Sequence, residues 1–167
     1  MRRSRRLRLV DLPRLLVRIA IELAGLFGSR YRRTEGAHVL VRDEAGRILA
    51  VRTTYLGPGW MLPGGRIERS ETPHVAAARE TLEETGIEVR IERLLLVDGH
   101  RRRNVSFVFS GSFVGGTLAP QFGEIAEVGW LTRDEITATS WRLDRLLEHL
   151  DGEDGEVSYL GLERNDA

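Results

Sequence analysis

The sequence predicts a mixed α/β domain built around a β-sheet, on three observations. Short aliphatic and β-branched runs recur between Gly36 and Leu131. One strongly patterned helix interrupts them, and further helical patterns lie near both ends. With 167 residues the chain is most simply one domain, with a core large enough to need no staples.

The first predicted element is an amphipathic helix over residues 11–27. Leu12, Leu15, Leu16, Ile19, Leu23, Leu26 and Phe27 recur at helical spacing, while Asp11, Arg14, Arg18 and Glu22 share the opposite stripe. Pro13 suits its first turn. Packing or dimerisation explains this helix better than a membrane surface, because its polar stripe carries acids as well as arginines. Next, 38–42 and 47–52 flank Asp-Glu-Ala-Gly and read as a hairpin turning near Gly46. Trp60-Met-Leu62 reads as a short strand entering Pro63-Gly64-Gly65. A helix follows over about 73–85, with Thr72 as N-cap, Pro73 at its first position and Gly86 as its stop. Strands are expected at about 87–97, 104–114 and 126–131, then a helix over about 139–150 and a shorter one around Asp134. Val157, Tyr159, Leu160 and Leu162 are candidates for a final strand or contact.

The chemistry concentrates in GGRIERSETPHVAAARETLEETGI, from Gly64 to Ile87, which holds five glutamates. Like charges at helical spacing repel unless something positive lies among them. With Glu80 at zero on a helical wheel, Glu84 falls near 40° and Glu83 near −60°, at about 100° per residue. Leu82, Val75 and Ala78 fall opposite and are expected to pack on the core. Glutamate oxygens are hard ligands that suit Mg²⁺ or Mn²⁺, commonly shared with substrate phosphates. Gly64 and Gly65 allow a main-chain carbonyl to approach a ligand closely. Glu71 precedes Arg79 by eight residues and is placed to brace it across the loop–helix junction.

A solvated acidic face is the usual reading of a charge run, but the spacing here is specific. A glycine, five residues, a glutamate and seven residues lead into Arg-Glu-U-x-Glu-Glu-x-Gly-U, with U a bulky aliphatic. Gly65, Glu71, Arg79, Glu80, Glu83, Glu84 and Gly86 fill the seven fixed positions. At a usage of about 7% per residue, a chance match at one start is on the order of 10⁻⁸. This is the Nudix box, and the chain resembles the Nudix hydrolase family over about residues 36–150. Thr81 departs from the box at a usually aliphatic position, and Ser70 replaces a glycine common just before the first box glutamate. Neither change removes a carboxylate.

The resemblance implies an α/β/α sandwich with a mixed sheet, to which the N-terminal amphipathic helix is an addition. It implies a pyrophosphohydrolase that converts a nucleoside diphosphate derivative, NDP-X, to NMP and P-X with Mg²⁺ or Mn²⁺. Glu80 and Glu84 would be metal ligands, Glu83 a ligand or water-orienting group, and the Gly64 carbonyl a further ligand. Family members place the general base either in the box or on a downstream loop; Glu124 is the first downstream candidate here and Glu127 the second. Subfamily marks for ADP-ribose and dinucleoside polyphosphates, a proline or a tyrosine past the box, are absent. His100-Arg101-Arg102-Arg103-Asn104 stands in that region.

Arg101, Arg102 and Arg103 suit phosphates or an RNA end as readily as a solvated loop. Arg52 and Tyr55 are candidate pocket residues, although strand-end residues are more often structural. His38, His74 and His149 lack metal-ligand spacing.

The remaining features bound the setting. The absence of cysteine excludes disulfides, thiolate zinc sites and cysteine nucleophiles, and fits a reducing, cytoplasmic compartment. All 25 basic residues are arginine, and residues 1–33 hold ten of them against Asp11 and Glu22. Arg18 and Glu22 interrupt the apolar run after that basic start, so neither a signal peptide nor a spanning helix is expected. The expected organisation is an Arg-rich helical extension over 1–33, a Nudix domain over 34–150 and an acidic tail over 151–167. The expected partner is a small nucleoside diphosphate-linked substrate, with a homodimer contact as one role for the extension. An RNA end or a membrane surface is less favoured, and liposome co-sedimentation with and without residues 1–33 separates the last. A non-catalytic Nudix-fold sensor domain is the alternative from another class; an intact carboxylate set argues against it.

Overall fold

A computed structural model describes residues 34–101, 104–151 and 156–160. The expected helix over 11–27, Arg102, Arg103 and most of the tail lie outside the described residues. Among the described residues seven strands and three helices follow in the order β1 (Thr34–Val41), β2 (Ile48–Thr53), β3 (Gly64–Arg66), α1 (Pro73–Thr85), β4 (Ile87–Arg101), β5 (Asn104–Gly116), β6 (Ile125–Leu131), α2 (Arg133–Thr139), α3 (Trp141–Asp151) and β7 (Ser158–Leu160).

Five strands form one mixed sheet in the order β3-β1-β5-β4-β7. β1 runs parallel to β5 and β4 parallel to β7, whereas β3–β1 and β4–β5 are antiparallel. β2 and β6 form a separate antiparallel pair. The predicted hairpin is thereby corrected. The turn at Gly46 forms, with positive φ and the Asp43 carboxylate accepting from the Ala45 and Arg47 amides, but only Arg42 and Ile48 bridge across it. The chain then leaves one sheet for the other. Trp60-Met-Leu62 is likewise not a strand; Met61 makes a single bridge to Val51, and the strand begins at Gly64.

Period-2 alternation supplies a core on each face of the sheet. Ala37, Val39 and Val41 of β1 pack with Ala76 and Ala77 of α1. Leu40, from the other face, joins Leu96, Val108, Ile136, Leu143 and Leu147 under α2 and α3. The result is helix, sheet, helix. A Thr132–Glu135 capping box starts α2, and β7 forms within the predicted terminal stretch.

The packed face of α1 differs from expectation. Val75 and Leu82 are 49% and 45% exposed, and the buried residues are Ala76, Ala77, Thr81, Glu84 and Thr85. Small side chains let the helix lie close on β1, β3 and β4. The Thr81 hydroxyl donates to the Ala77 carbonyl at 2.7 Å and that of Thr85 to the Thr81 carbonyl, so neither is buried unsatisfied. Thr81 thus occupies a usually aliphatic position at no hydrogen-bonding cost. Thr72 sits at the N-cap in extended conformation, without a side-chain capping bond, and Gly86 closes the helix at φ +73°.

Candidate active site

Arg79 is the positive group among the box glutamates. Its Nε and Nη2 donate to the two oxygens of Glu71, both at 2.9 Å, in a planar fork. Nη1 donates to Glu80 at 3.0 Å and Glu83 at 3.2 Å, and Nη2 also reaches the Arg66 carbonyl at 3.2 Å. One side chain therefore ties β3, the following loop and α1 together. Glu71 also accepts from the Glu68 amide at 3.1 Å, so Glu68, otherwise without a role, supplies backbone to the brace. Arg79 and then this amide hold the Glu71 carboxyl down at about 2. A depressed folded pKa stabilises the fold above the ordinary carboxylate range and ceases to do so as pH falls through about 2. Glu71→Gln should therefore lower the thermal midpoint at pH 6, with the gap to wild type closing by pH 2. An unchanged midpoint at pH 6 would remove the brace.

Glu84 lies deepest, at 9% exposure. The Gly64 amide donates to its Oε2 at 2.8 Å, and among the described residues no arginine pairs with it. Burial pushes its carboxyl up to about 7; the Gly64 amide opposes this, and the charges of Glu80, Glu124 and Glu83 add to it. Burial also raises Glu80, against the pull of Arg79. The glycines make this approach possible. Gly64 sits at φ +145°, where a Cβ would lie 2.2 Å from the Ala37 carbonyl oxygen. A Cβ on Gly65 would lie 2.5 Å from the Glu80 carboxyl carbon.

Hard oxygen donors, a buried carboxylate and mutually repelling charges fit a divalent cation, which would offset both burial and repulsion. Among the described residues no three acidic or histidine side chains yet converge as a ligand cage; Glu80 and Glu83 turn toward Arg79 instead.

The two downstream acids are separated by their surroundings. The loop after β5 is held by the end of α1, through Ala119 to the Thr85 carbonyl at 2.8 Å and Gln121 to the Glu84 carbonyl at 3.3 Å. Thr54 ties the same loop to β2, its amide donating to the Glu124 carbonyl and its hydroxyl to that of Gly123, both at 2.9 Å. This brings the Glu124 charge onto Glu80, Glu84 and Tyr55. Glu127 instead faces Arg52 across the β2–β6 pair and forms an ion pair with it. Arg52 also lies over the Trp60 ring, 5.4 Å from its centroid. Arg101 ends β4.

The family model for the NUDIX domain matches residues 32–150. The chain belongs to the Nudix family. It is 41% identical over 119 residues to a MutT-like protein of Streptomyces ambofaciens, covering 70% of this chain and 75% of the relative. It is 34% identical over 100 residues to a putative 8-oxo-dGTP diphosphatase of Bacillus subtilis, covering 59% of this chain and 66%, just under two thirds, of that protein. The crystal structure of a MutT protein from Methanosarcina mazei Go1 superposes with a TM-score of 0.64 at 23% identity, over 76% of this chain and 99% of that one, and so shares the fold. The protein is a Nudix hydrolase, an enzyme of diphosphate-containing substrates. No helix among the described residues is long and apolar enough to cross a membrane.

In this Nudix box the departure at Ser70 has a visible consequence. Ser70 adopts φ +67°, a left-handed conformation that costs a non-glycine residue energy. Ser70→Gly should raise stability by about 0.5–1 kcal/mol, after the entropy that glycine adds to the unfolded chain. A lower thermal midpoint in the variant would contradict this. Spacing left His38 without a role, yet β1–β3 pairing sets it opposite Gly64, and its ring is hydrogen-bonded to the Leu62 carbonyl. Nonlocal strand register creates that neighbourhood, so no local motif signals it.

Proposed function

We propose that this Nudix hydrolase cleaves a nucleoside diphosphate derivative, NDP-X, to NMP and P-X with Mg²⁺ or Mn²⁺. The observation that carries the reading is the buried Glu84 carboxylate, which feels the charges of Glu80 and Glu124 and has no arginine paired with it among the described residues. Glu80 and Glu84 would hold the cation, with Glu83 as ligand or water-orienting group and the Gly64 backbone carbonyl as a further donor. The chemistry supplied on binding is neutralisation of the diphosphate and acidification of a water.

Arg79 holds Glu80 and Glu83 in waiting and keeps the loop of Gly64 and Gly65 against the helix. Glu124, carried on the loop anchored to Glu84, accepts the proton of the attacking water. Glu127 is committed to Arg52 and serves structure, as does Arg52. The Arg101–Arg103 segment stays a candidate for contacts to outlying phosphates. The named substrate of the Bacillus subtilis relative, 8-oxo-dGTP, is a nucleotide of the proposed class.

The test is a product assay over dNTPs, ADP-ribose, nucleotide sugars, dinucleoside polyphosphates and 5′-triphosphate RNA, with Mg²⁺, Mn²⁺ or EDTA. Metal-dependent release of NMP from at least one of them is expected, and failure on all would end the proposal. Glu124→Gln should lower kcat by about 10²–10⁴-fold, the usual range for a general base, while Glu127→Gln stays within a few fold. The reverse ranking would move the base to Glu127.

A further inference from the structure

Tyr55 stands between two tied residues. Before it, Thr54 is pinned twice to the segment bearing Glu124, its amide donating to the Glu124 carbonyl and its hydroxyl to that of Gly123, both at 2.9 Å. After it, the Leu56 amide donates to the buried Thr53 hydroxyl at 3.1 Å. Thr53 ends β2, so the turn hangs from the β2–β6 pair and from the Glu124 loop together. Neighbouring Cα atoms are about 3.8 Å apart, so Tyr55 starts one such step from a residue bonded to the proposed proton acceptor. Burial and then the charges of Glu124, Glu84 and Glu80 push its phenol above the ordinary value, which puts the hydroxyl within electrostatic reach of all three carboxylates. Tyr55 is nonetheless 39% exposed, and among the described residues its hydroxyl has no hydrogen-bond partner.

The arginines near the box are occupied. A guanidinium has five N–H donors, and Arg79 makes five hydrogen bonds, two to Glu71 and one each to Glu80, Glu83 and the Arg66 carbonyl. Arg52 pairs with Glu127 and lies over the Trp60 ring.

We propose that the Tyr55 hydroxyl donates a hydrogen bond to a non-bridging oxygen of the bound diphosphate, which makes Tyr55 a substrate-contacting residue of the hydrolytic site. This rests on the diphosphate reading above and adds a donor from this chain to it. A diphosphate presents several non-bridging oxygens, and each one desolvated without a donor weakens binding. The choice of a phenol has an electrostatic reason. An arginine at this position would pair with Glu124 and take the proton acceptor out of use, as Arg52 does to Glu127. A phenol is neutral near pH 7 by its ordinary chemistry, so it donates to phosphate while leaving the acids charged. No existing hydrogen bond of the hydroxyl has to break first.

The test compares wild type, Tyr55→Phe and Tyr55→Leu. Tyr55→Phe removes the hydroxyl and keeps the ring, so its thermal midpoint should match wild type. Binding is read by calorimetric titration of the full chain, in saturating Mg²⁺, with methylenediphosphonate, a diphosphate mimic that carries no base and resists hydrolysis. Both variants should weaken it about 10–100-fold, the scale of a hydrogen bond to a charged group. In turnover both should raise KM by a similar factor with kcat changed less, because the bond already forms in the bound substrate. Unchanged binding and KM in Tyr55→Phe overturn the proposal. A loss confined to Tyr55→Leu also overturns it and marks a ring contact instead. If wild type cleaves a substrate and Tyr55→Phe matches it, this proposal fails alone. Methylenediphosphonate bound through Tyr55 with no substrate cleaved upholds the contact and ends the hydrolytic reading. No binding by wild type ends the contact.

Discussion

Glu84→Gln is expected to reduce turnover by about 10³-fold or more, as removal of a key electrostatic group does, while making the metal-free protein more stable at pH 8. Both effects come from the same burial. The Glu84 carboxyl rises from 4.5 to about 7 in the fold, so ionising it there opposes folding. For a carboxyl raised in this way the penalty is absent below the unfolded value, grows between 4.5 and about 7, and is complete above it. The shift corresponds to about 3 kcal/mol at most. Glutamine keeps an oxygen for the Gly64 amide and carries no charge. In EDTA at pH 8 the variant should melt several degrees above wild type, a scale set by the entropy of unfolding a chain this size. The difference should disappear near pH 4.5. Saturating Mg²⁺ should raise wild type toward the variant, because a ligand bound only by the native state stabilises it. Full activity in Glu84→Gln, or equal melting in EDTA at pH 8, would contradict the account.

The second large effect separates two neighbouring glycines. Gly64→Ala places its Cβ 2.2 Å from the Ala37 carbonyl oxygen and 2.6 Å from His38 Cα, at φ +145°. Those neighbours are backbone within a paired strand and cannot turn aside, so a loss of about 3 kcal/mol or more is expected. Gly65→Ala meets only the end of the Glu80 side chain, at 2.5–2.7 Å, which can rotate away. It should fold with nearly wild-type stability and lose activity because Glu80 is displaced. Denaturant unfolding alongside kcat for both variants tests the pair. Equal stability losses would show that the Glu80 contact is as rigid as the strand.

The box was legible because its chemistry is local. Within one helix, a spacing of three or four residues sets direction, so Glu80, Glu83 and Glu84 could be grouped, and Arg79 set against Glu71, without any fold. The same reasoning failed for the packed face of α1. It treated Leu82 and Val75 as core, yet both are exposed, while Thr81 and Thr85 are buried with satisfied hydroxyls. Apolarity marks what tolerates burial; close approach to a sheet selects small residues instead. Most strands were readable from alternation, but Trp60-Met-Leu62 was not one, and β1 and β2 joined different sheets, since alternation carries no information about the partner.

By itself, then, the sequence determined the mixed α/β class, the Nudix box and the identity of its carboxylates, because these depend on contacts within one turn or one loop. Tertiary structure decided which carboxylate is buried, which downstream acid reaches the cluster and what lies beside the box loop. Glu124 comes to Glu84 through a loop hung on the end of α1, Glu127 is drawn off by Arg52, and His38 faces Gly64 through strand register. Those are nonlocal pairings. Burial and electrostatic environment arise only when segments distant in sequence are brought within hydrogen-bonding range.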